Sequence, residues 1–421
     1  MERVVTAVLG GGQGARLWPL TRDRAKPAVP VGGKFRLIDI PISSSLHAGF
    51  DRIYVLTQFN SATLHRHIAQ TYRFDSFRDG YVNILAAEQN LQSTDWYQGT
   101  ADAVRQNLDR FTYQGTAEVL VLSGDQLYAI NLKEFVARHR ARQADLTIAV
   151  KPVPRADAKG LGIIGVEDDG RIVEFVEKPQ DDAVLDRLAL SEETLKRLGF
   201  EAEPGSLFAS MGMYVFKSDV LREVLLGSDA TDFGREVIPS AIHDHRVFAF
   251  GYRGYWRDIG TIKAFHQANL ELARPVPPLN LYDPDYPIFT HPRFLPGTKV
   301  NHCTIHRSVI CEGGIVSGER ISDSVVGIRA VVREGSIIER SIVMGLSSYS
   351  TEDELPRDIP VGIGRNCVIQ GAIIDTNARI GDGCRLVNER GVEEEDGDGY
   401  YIRGGIVVVP RGAEIPAGTI I

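Results

Sequence analysis

The sequence predicts an α/β fold in which a Rossmann-like domain with a mostly parallel sheet precedes a parallel β-helix. Short apolar runs alternate with helical patterns up to about residue 150, and a mixed pattern follows. Seven prolines then occur in residues 275–296, and after them apolar residues recur every six positions. Strands that alternate with helices form a parallel sheet covered on both faces. An apolar hexapeptide period is typical of a β-helix.

The first domain is predicted from its alternating elements. The predicted strands are 4–9, 52–56, 119–122, 146–150, 171–177 and 213–216, and the predicted helices are 62–72, 132–143 and 262 to about 273. Ligands in such sheets bind beyond the carboxyl ends of the strands. The glycines that follow the first strand and Asp125, which follows strand 119–122, should therefore face one crevice.

The predicted domain boundaries follow from the points at which the sequence pattern changes. We predict a catalytic domain over residues 1–274, a proline-rich linker over 275–298 and a β-helix over 299–421. Prolines at the density of the linker forbid a regular helix or a central strand.

The apolar repeat of the last domain predicts which side chains its coils bury. The phased positions are Val309, Ile315 and Ile321, then Val325, Val331, Ile337 and Val343, then Val368, Ile374, Ile380 and Leu386, and finally Val409, Ile415 and Ile421. Two interruptions, at about 345–360 and 388–405, are interpreted as loops that leave the β-helix.

The stretch after the first strand reads Gly10-Gly11-Gly12-Gln13-Gly14 and is followed by Arg16 and Lys26. Glycines allow positive φ and close backbone approach, and such loops form concave anion sites. The third glycine of the dinucleotide fingerprint and the Gly-Lys-Ser/Thr of the P-loop are both absent. We therefore predict a nucleoside triphosphate site, with a tight turn that binds no ligand as the alternative.

Two acids suit a metal that bridges substrate phosphates. Asp125 and Asp258 are candidate Mg²⁺ ligands, since Mg²⁺ favours one or two carboxylates together with phosphates. Lys178, at the end of a strand, could reach a second phosphate. A helix opening at Tyr97–Ala103 could bring its first N–H groups to a base or sugar. The alternatives are a helix cap or surface acid, a surface lysine and a simple capping turn.

The composition of the chain limits the classes of molecule that we expect it to bind. The formal net charge is −8, which argues against non-specific nucleic-acid binding. Residues 1–40 carry seven Lys or Arg against three acids, which points to a small anionic substrate. No apolar run reaches the roughly 18 residues of a membrane helix, and no CxxC spacing is present. We expect a soluble, cytoplasmic protein with free thiols and no membrane partner.

Several blocks resemble the sugar-nucleotide pyrophosphorylases, and within them the glucose-1-phosphate adenylyltransferase family. They are LGGGQGARLWPLTRDRAKPAVPVGGKFRLID, WYQGTADAVRQNL, SGDQLY, EFVEKP, ASMGMYVF, YWRDIGT and GGIVVVPRGAEIPAGTII. RAKPAVP together with WYQGTADA is specific to the adenylyl branch. The resemblance implies a nucleotidyltransferase domain, a left-handed β-helix, a homotetramer, Mg²⁺, the substrates ATP and glucose 1-phosphate, and a role in glycogen or starch synthesis.

The resemblance also implies roles position by position. The catalytic residues would be Arg16, Lys26 and Asp125, and the Mg²⁺ ligands Asp125 and Asp258. ATP would be bound by Gly11, Gly12, Gly14, Arg16, Arg24, Lys26, Gln89, Gly99 and Thr100. Glucose 1-phosphate would be bound by Tyr97, Gly162, Glu177, Lys178 and Ser210.

Some positions depart from the family pattern. The loop carries Ala15 where threonine is usual, and the chain has Asp23 and Pro30 where the branch activated by fructose bisphosphate has lysine and histidine. Arg36 and Arg411 still match effector-binding cations, so small phosphorylated effectors, such as a sugar phosphate or phosphoglycerate, are expected.

Two rival functions remain open at this point. One is another sugar-1-phosphate nucleotidyltransferase, such as a mannose-1-phosphate guanylyltransferase. The other is a β-helix acyltransferase or a non-catalytic regulatory subunit. Acyltransferases of the β-helix type usually carry a catalytic histidine. The only candidates in the tail are His302 and His306, and neither has an evident partner in the sequence. A non-catalytic subunit should have lost Asp125 or Lys178, and both are present.

Overall fold

The computed structural model describes residues 3–12, 14–75, 77, 79–87, 96–113, 115–349 and 358–421. The strands of the first domain are β1 Arg3–Leu9, β2 Pro30–Val31, β3 Phe35–Arg36, β4 Arg52–Thr57, β5 Tyr81–Ala86, β6 Thr116–Ser123, β7 Gln126–Tyr128, β8 Leu146–Val153, β9 Gly162–Val166, β10 Ile172–Glu177, β11 Leu207–Lys217, β12 Val247–Gly251 and β13 Trp256–Asp258.

The helices of this domain surround the sheet. They are α1 Asp39–His47, α2 Ala62–Thr71, α3 Thr100–Gln106, α4 Leu108–Phe111, α5 Leu132–Ala141, α6 Arg155–Ala158, α7 Asp182–Leu188, α8 Glu192–Leu198, α9 Ser218–Leu226, α10 Ile238–Asp244 and α11 Ile262–Leu272. Short 3-10 turns cover Ala15–Leu17 and Lys26–Ala28, and a π-helical turn covers Phe233–Val237. Within the described ranges, no helix has both the length and the apolar character needed to cross a membrane.

Nine strands of the described chain form one mixed sheet, in the order β10-β9-β11-β6-β1-β4-β5, with β8 joining β11 to β12. The central strands β6, β1, β4 and β5 run parallel. The long strand β11 then pairs antiparallel with β6, β8 and β9. The predicted α/β fold class is confirmed, and the antiparallel part is an addition that the sequence pattern did not indicate.

The second domain is a parallel β-helix. Its strands are β14 Lys299–Val300, β15 Thr304–His306, β16 Val309–Ile310, β17 Ile315–Val316, β18 Arg320–Ser322, β19 Val325–Val326, β20 Val331–Val332, β21 Ile337–Glu339, β22 Ile342–Val343, β23 Gly362–Ile363, β24 Val368–Gln370, β25 Ala372–Ile374, β26 Arg379–Ile380, β27 Arg385–Leu386, β28 Glu394–Asp396, β29 Tyr401–Arg403, β30 Ile406–Val409 and β31 Glu414–Ile415.

Three sheets form the faces of the β-helix. Their orders are β14-β17-β20-β23-β26-β31, β15-β18-β21-β24-β27 and β16-β19-β22-β25-β30-β29-β28. Residues 273–298, all of them described, contain neither helix nor strand.

The predicted phase of the repeat is wrong at several coils. Ile315 is 46% exposed, and the buried side chain is that of its successor, Val316. The same shift by one residue places Val332, Ile338 and Ile369 inside. Adjacent strand residues point to opposite faces, and because both members of these pairs are apolar, hydrophobicity could not tell which one points inward.

The second predicted loop is also corrected. Residues 388–405 contain a β-hairpin, in which β28 and β29 pair antiparallel, and β29 also pairs antiparallel with β30 of the β-helix. Part of the first predicted loop, residues 350–357, lies outside the described residues.

The two domains share one hydrophobic core. Leu17 and Leu20, between the first strand and Lys26, belong to the same buried cluster as Ile373, Ile406 and Val408 of the β-helix. Beside this cluster, Nη2 of Arg24 donates to both carboxylate oxygens of Asp375, at 2.7 and 2.8 Å. The side chains are 4% and 1% exposed, so the ion pair is buried at the domain interface.

We predict that Asp375→Ala strongly destabilises the protein. It leaves the Arg24 charge buried without its partner, which typically costs about 3–5 kcal/mol. Equilibrium unfolding in urea measures the change. Glu334→Ala, which removes the exposed pair with Arg365 in the same β-helix, is the matched control and should cost much less, because exposed ion pairs contribute little to stability. Equal stabilities of the two variants would contradict the prediction.

Candidate active site

The loop after β1 provides an open backbone surface. Gly10 N–H donates to the Leu56 carbonyl at 2.8 Å, which anchors the loop on β4. Gly14 has a φ of +64°, and a Cβ there would lie 2.9 Å from Cγ2 of Thr21, so glycine is required. A Cβ on Gly12 would meet no described atom within 4 Å. The loop is tightly fixed at its ends and open in the middle, where a ligand can approach.

Asp125 lies at the edge of the same crevice. In the parallel pair of β1 and β6, Leu9 is the register partner of Ser123, two residues before Asp125. Lys26 Nζ donates to Oδ2 of Asp125 at 2.5 Å, and the Ser123 hydroxyl donates to Oδ1. Burial opposes ionisation, but the Lys26 charge and these hydrogen bonds outweigh it and hold the pKa of Asp125 below its ordinary value.

Asp258 is brought to Asp125 by a two-stranded ladder. β13 pairs antiparallel with β7, and Asp258 is the register partner of Gln126. Burial and the charge of Asp125 raise the pKa of Asp258, although Lys26, Arg16 and Lys178 oppose the rise. Two carboxylates with oppositely shifted pKa values therefore lie together among three cations.

A glycine lets Arg16 reach these acids. A Cβ on Gly260 would lie 2.7 Å from Oδ2 of Asp258 and 3.5 Å from Nη2 of Arg16. A side chain at this position would thus push the carboxylate and the guanidinium apart.

The donor set fits Mg²⁺. Two neighbouring carboxylates that repel each other match an ion that takes one or two protein carboxylates and completes its shell with phosphates and water. Among the described residues no group of three or more acidic, histidine or cysteine side chains forms an all-protein metal cage, so Asp125 and Asp258 remain the candidate ligands.

Four of the predicted sugar-phosphate residues come together across β9, β10 and β11. Gly162 is the register partner of Glu177, and a Cβ on Gly162 would lie 2.8 Å from Oε2 of that glutamate. Lys178 Nζ lies 2.8 Å from Oε1 of Glu177. Ser210, at an irregularity of β11, is buried and accepts the Gly212 N–H. Tyr97 is buried, and its hydroxyl accepts a hydrogen bond from Asn107 at 3.0 Å.

The start of α3 is held against the π-helical turn. A Cβ on Gly99 would collide with the Thr231 carbonyl oxygen, which also accepts the Ala101 N–H at 2.8 Å. The Thr100 hydroxyl donates to Asp232 at 3.2 Å. The predicted adenine contact Gln89 lies outside the described residues.

Known protein families match both domains. The family model described as Nucleotidyl transferase covers residues 5–274. The chain belongs to the nucleotidyl transferase family. A second model, described as the GLGC left-handed parallel beta-helix domain, covers residues 293–420 and confirms the predicted left-handed helix. This pair of domains is characteristic of glucose-1-phosphate adenylyltransferases, and the chain is a sugar-1-phosphate nucleotidyltransferase.

The structure of this nucleotidyl transferase corrects the expectation for Arg24. We expected Arg24 on the ATP phosphates beside Lys26. Its guanidinium instead binds Asp375 and lines a cavity of about 360 Å³ between the two domains. A short loop can direct cations two residues apart to opposite sides, and spacing alone does not reveal which cation goes where.

The interdomain cavity also contains both predicted effector residues. Its cationic lining consists of Arg24, Lys34, Arg36, Arg66, Arg293, Arg329 and Arg411. Burial and the neighbouring arginines outweigh Asp39 and lower the pKa of Arg36 to about 10. Nε of Arg329 is buried and has no hydrogen-bond partner among the described residues. The cavity therefore concentrates positive charge.

Two residues near the sugar-phosphate group were not predicted. Asp232 caps the π-helical turn by accepting from the N–H groups of Gly234 and Arg235. Burial raises the pKa of the Tyr214 phenol, and the charges of Glu177 and Asp232 add to the rise. An aspartate before a helical turn is an N-cap signal that could have located Asp232. No sequence signal distinguished Tyr214 from the other apolar residues of β11.

We predict that Asp258→Asn stabilises this nucleotidyl transferase at neutral pH while it weakens metal binding. A carboxyl whose folded-state pKa is raised destabilises the fold whenever it is ionised, and this penalty disappears as the pH falls through that pKa. The melting temperature of the variant should exceed that of the wild type at neutral pH, and the gap should close on acidification. The exposed control Asp229→Asn should show no such pH-dependent gap, and a destabilised Asp258→Asn would contradict the prediction.

Proposed function

We propose that the enzyme transfers the adenylyl group of ATP to α-D-glucose 1-phosphate, which yields ADP-glucose and pyrophosphate for glycogen (α-glucan) synthesis. The observation that carries the proposal is the Asp125 carboxylate, held by Lys26 and Ser123 between the open glycine loop and Asp258. The sequence blocks of the adenylyl branch supply the choice of base and sugar.

The reaction is an in-line displacement. A phosphate oxygen of glucose 1-phosphate attacks the α-phosphorus of ATP, the bond to the β-phosphate oxygen breaks, and pyrophosphate leaves with that electron pair. The nucleophile is already an anion, so no general base is required. Catalysis rests on positioning and on the neutralisation of charge.

The residues of the site divide these tasks. Gly11, Gly12 and Gly14 and the Arg16 side chain would hold the departing pyrophosphate. Lys26 has three N–H donors, so it can keep one on Asp125 and offer the others to phosphate oxygens.

Asp125 and Asp258 would hold Mg²⁺, which neutralises phosphate charge when it is bound. Lys178, with a φ of +51° at the end of β10, would hold the sugar phosphate, while Glu177 and Ser210 offer acceptors to sugar hydroxyls.

We predict that Asp125→Asn lowers turnover about 10²-fold or more, a typical cost of removing one electrostatic stabiliser. Initial rates of pyrophosphate release measure the loss. Asp145→Asn is a matched control, because Asp145 also accepts from a lysine, Lys217, at 2.6 Å, outside the candidate site. Near-normal turnover in Asp125→Asn would sink the assignment.

A substrate panel tests the choice of nucleotide and sugar. Pyrophosphate release is measured with ATP, GTP, UTP and dTTP, each with glucose 1-phosphate or mannose 1-phosphate and Mg²⁺. Turnover confined to ATP and glucose 1-phosphate supports the proposal. Preference for GTP and mannose 1-phosphate would support a guanylyltransferase and overturn it.

We further propose that the interdomain cavity binds a small phosphorylated effector, and that the enzyme is a cytoplasmic homotetramer. The clustered cations around Arg36 support an anion there. The tetramer rests on family resemblance alone, and sedimentation equilibrium tests it.

We predict that Arg411→Ala blunts effector control without changing the basal rate, since Arg411 lines the cavity and not the crevice. Activity is titrated with fructose 6-phosphate, fructose 1,6-bisphosphate and 3-phosphoglycerate. The half-saturating concentration should rise about tenfold or more, since a hydrogen bond to a charged group contributes roughly 1.5–3 kcal/mol and about 1.4 kcal/mol corresponds to a factor of ten. An unchanged effector response would remove Arg411 from the proposed site.

A further inference from the structure

The hairpin at residues 388–405 leaves the β-helix and contacts Trp18, which follows the glycine loop of the first domain. β29 is the inner strand of the hairpin and pairs with β30, whose residue Val408 shares a buried cluster with Leu17. The aromatic ring of Tyr401 on β29 contacts Trp18 edge-on, with centroids 4.3 Å apart at an interplanar angle of 68°. This geometry is one of the preferred aromatic arrangements.

A cation completes the contact. The guanidinium carbon of Arg403 lies 5.0 Å from the Trp18 ring centroid and 5.3 Å from that of Tyr401. Both distances fall within the range of a cation–π interaction, for which tryptophan is the best acceptor. We call Trp18, Tyr401 and Arg403 the Trp18 clamp.

The Arg403 side chain is itself fixed by the hairpin. Its Nη1 donates to the carbonyls of Glu395 and Ile402, at 3.0 and 2.8 Å, and its Nη2 pairs with Asp396 at 2.5 Å. The side chain is 21% exposed. The Arg403 side chain is thus pre-organised for its contact with Trp18, and it loses little conformational freedom in making that contact.

On the catalytic side, the clamp holds the turn that carries Arg16. Trp18 ends the 3-10 turn Ala15–Leu17, and its N–H donates to the Ala15 carbonyl at 3.2 Å. Leu17 is fully buried in the hydrophobic core that the two domains share. Arg16, which lies between Ala15 and Leu17, is exposed. The direction of a long exposed side chain depends on its backbone, and here the two following residues fix that backbone.

We propose that the Trp18 clamp is a positioning device of the β-helix domain that sets Arg16 for the triphosphate of the nucleotide substrate. Tyr401 and Arg403 are positioning residues, since they act through Trp18 and touch no reacting atom. The inference deepens the proposed function and rests on it for the role of Arg16. It assigns a substrate-specific effect: loss of the clamp weakens use of the nucleotide and spares use of the sugar phosphate.

The kinetic test compares Arg403→Gln with Arg390→Gln. Arg390 belongs to the same hairpin and pairs with Glu395, so its substitution removes the same charge but leaves the clamp intact. In Arg403→Gln the KM for ATP should rise about three- to tenfold, the size expected for one cation–π contact, while the KM for glucose 1-phosphate stays unchanged. Arg403→Lys keeps a cation over the ring and should recover part of the loss.

A second readout does not depend on turnover. Acrylamide quenching of tryptophan fluorescence should increase in Arg403→Gln, because Trp18 loses its cover. In a Trp18→Phe background the same substitution should change nothing.

Each outcome has a distinct meaning. If Arg403→Gln matches Arg390→Gln in both readouts, or if both KM values rise equally, the clamp proposal is overturned while the proposed function stands. If the wild type uses another nucleoside triphosphate, the proposed function fails, and the KM comparison with that triphosphate still decides the clamp.

Discussion

A carboxylate of the β-helix, Asp375, binds the guanidinium of Arg24 through both of its oxygens inside the protein, and the arrangement around the glycine loop depends on this pair. Burying two charges costs several kcal/mol each unless the geometry is close to ideal, and here the ions are almost fully enclosed. The pair therefore tolerates little displacement. The ion pair anchors the segment between Arg16 and Lys26 to the β-helix, and Leu17 and Leu20 anchor the same segment in the hydrophobic core that the two domains share.

This one segment serves two groups of cations. Arg16 and Lys26 face the crevice with Asp125 and Asp258, and Arg24 faces the cavity with Arg36 and Arg411. Arg24 and Lys26 are separated by a single residue, Ala25, so a very short stretch of backbone joins the two anion-attracting regions. A shift of the Arg24 backbone cannot leave Lys26 and its bond to Asp125 unchanged. The proximity gives the proposed effector control a direct physical route.

Much of the fold could be predicted from the sequence, because strong periodicities dominate it. The strand before the glycine loop, the strand before Asp125 and the α11 helix were all located from local pattern. Helix α1 was missed, since proline and three serines hide it and most of its residues are buried. The inward phase at Ile315 and Val316 could not be read, because both residues are apolar.

The candidate site was predictable where chemistry and local turn geometry agree, as at Gly14 and Asp125. The site was not predictable where contacts between residues far apart in the sequence determine the position of a side chain. The partner of Arg24, Asp375, lies 351 residues away in the sequence. The sequence pattern of the hairpin that covers Trp18 predicts an irregular loop and gives no sign of this contact. Such contacts join separate periodic segments, and no local spacing encodes them.

The shared core also bears on how modular this protein is. Residues 273–298 contain neither helix nor strand, but the contact between the domains is not confined to this stretch. Leu17, Trp18, Leu20 and Arg24 all contact the β-helix or its hairpin. A chimera joined at the linker would pair a foreign β30 and hairpin with native Leu17, Trp18 and Arg24. Recombination between relatives at the linker should therefore cost stability unless residues 17–24 also match the C-terminal domain.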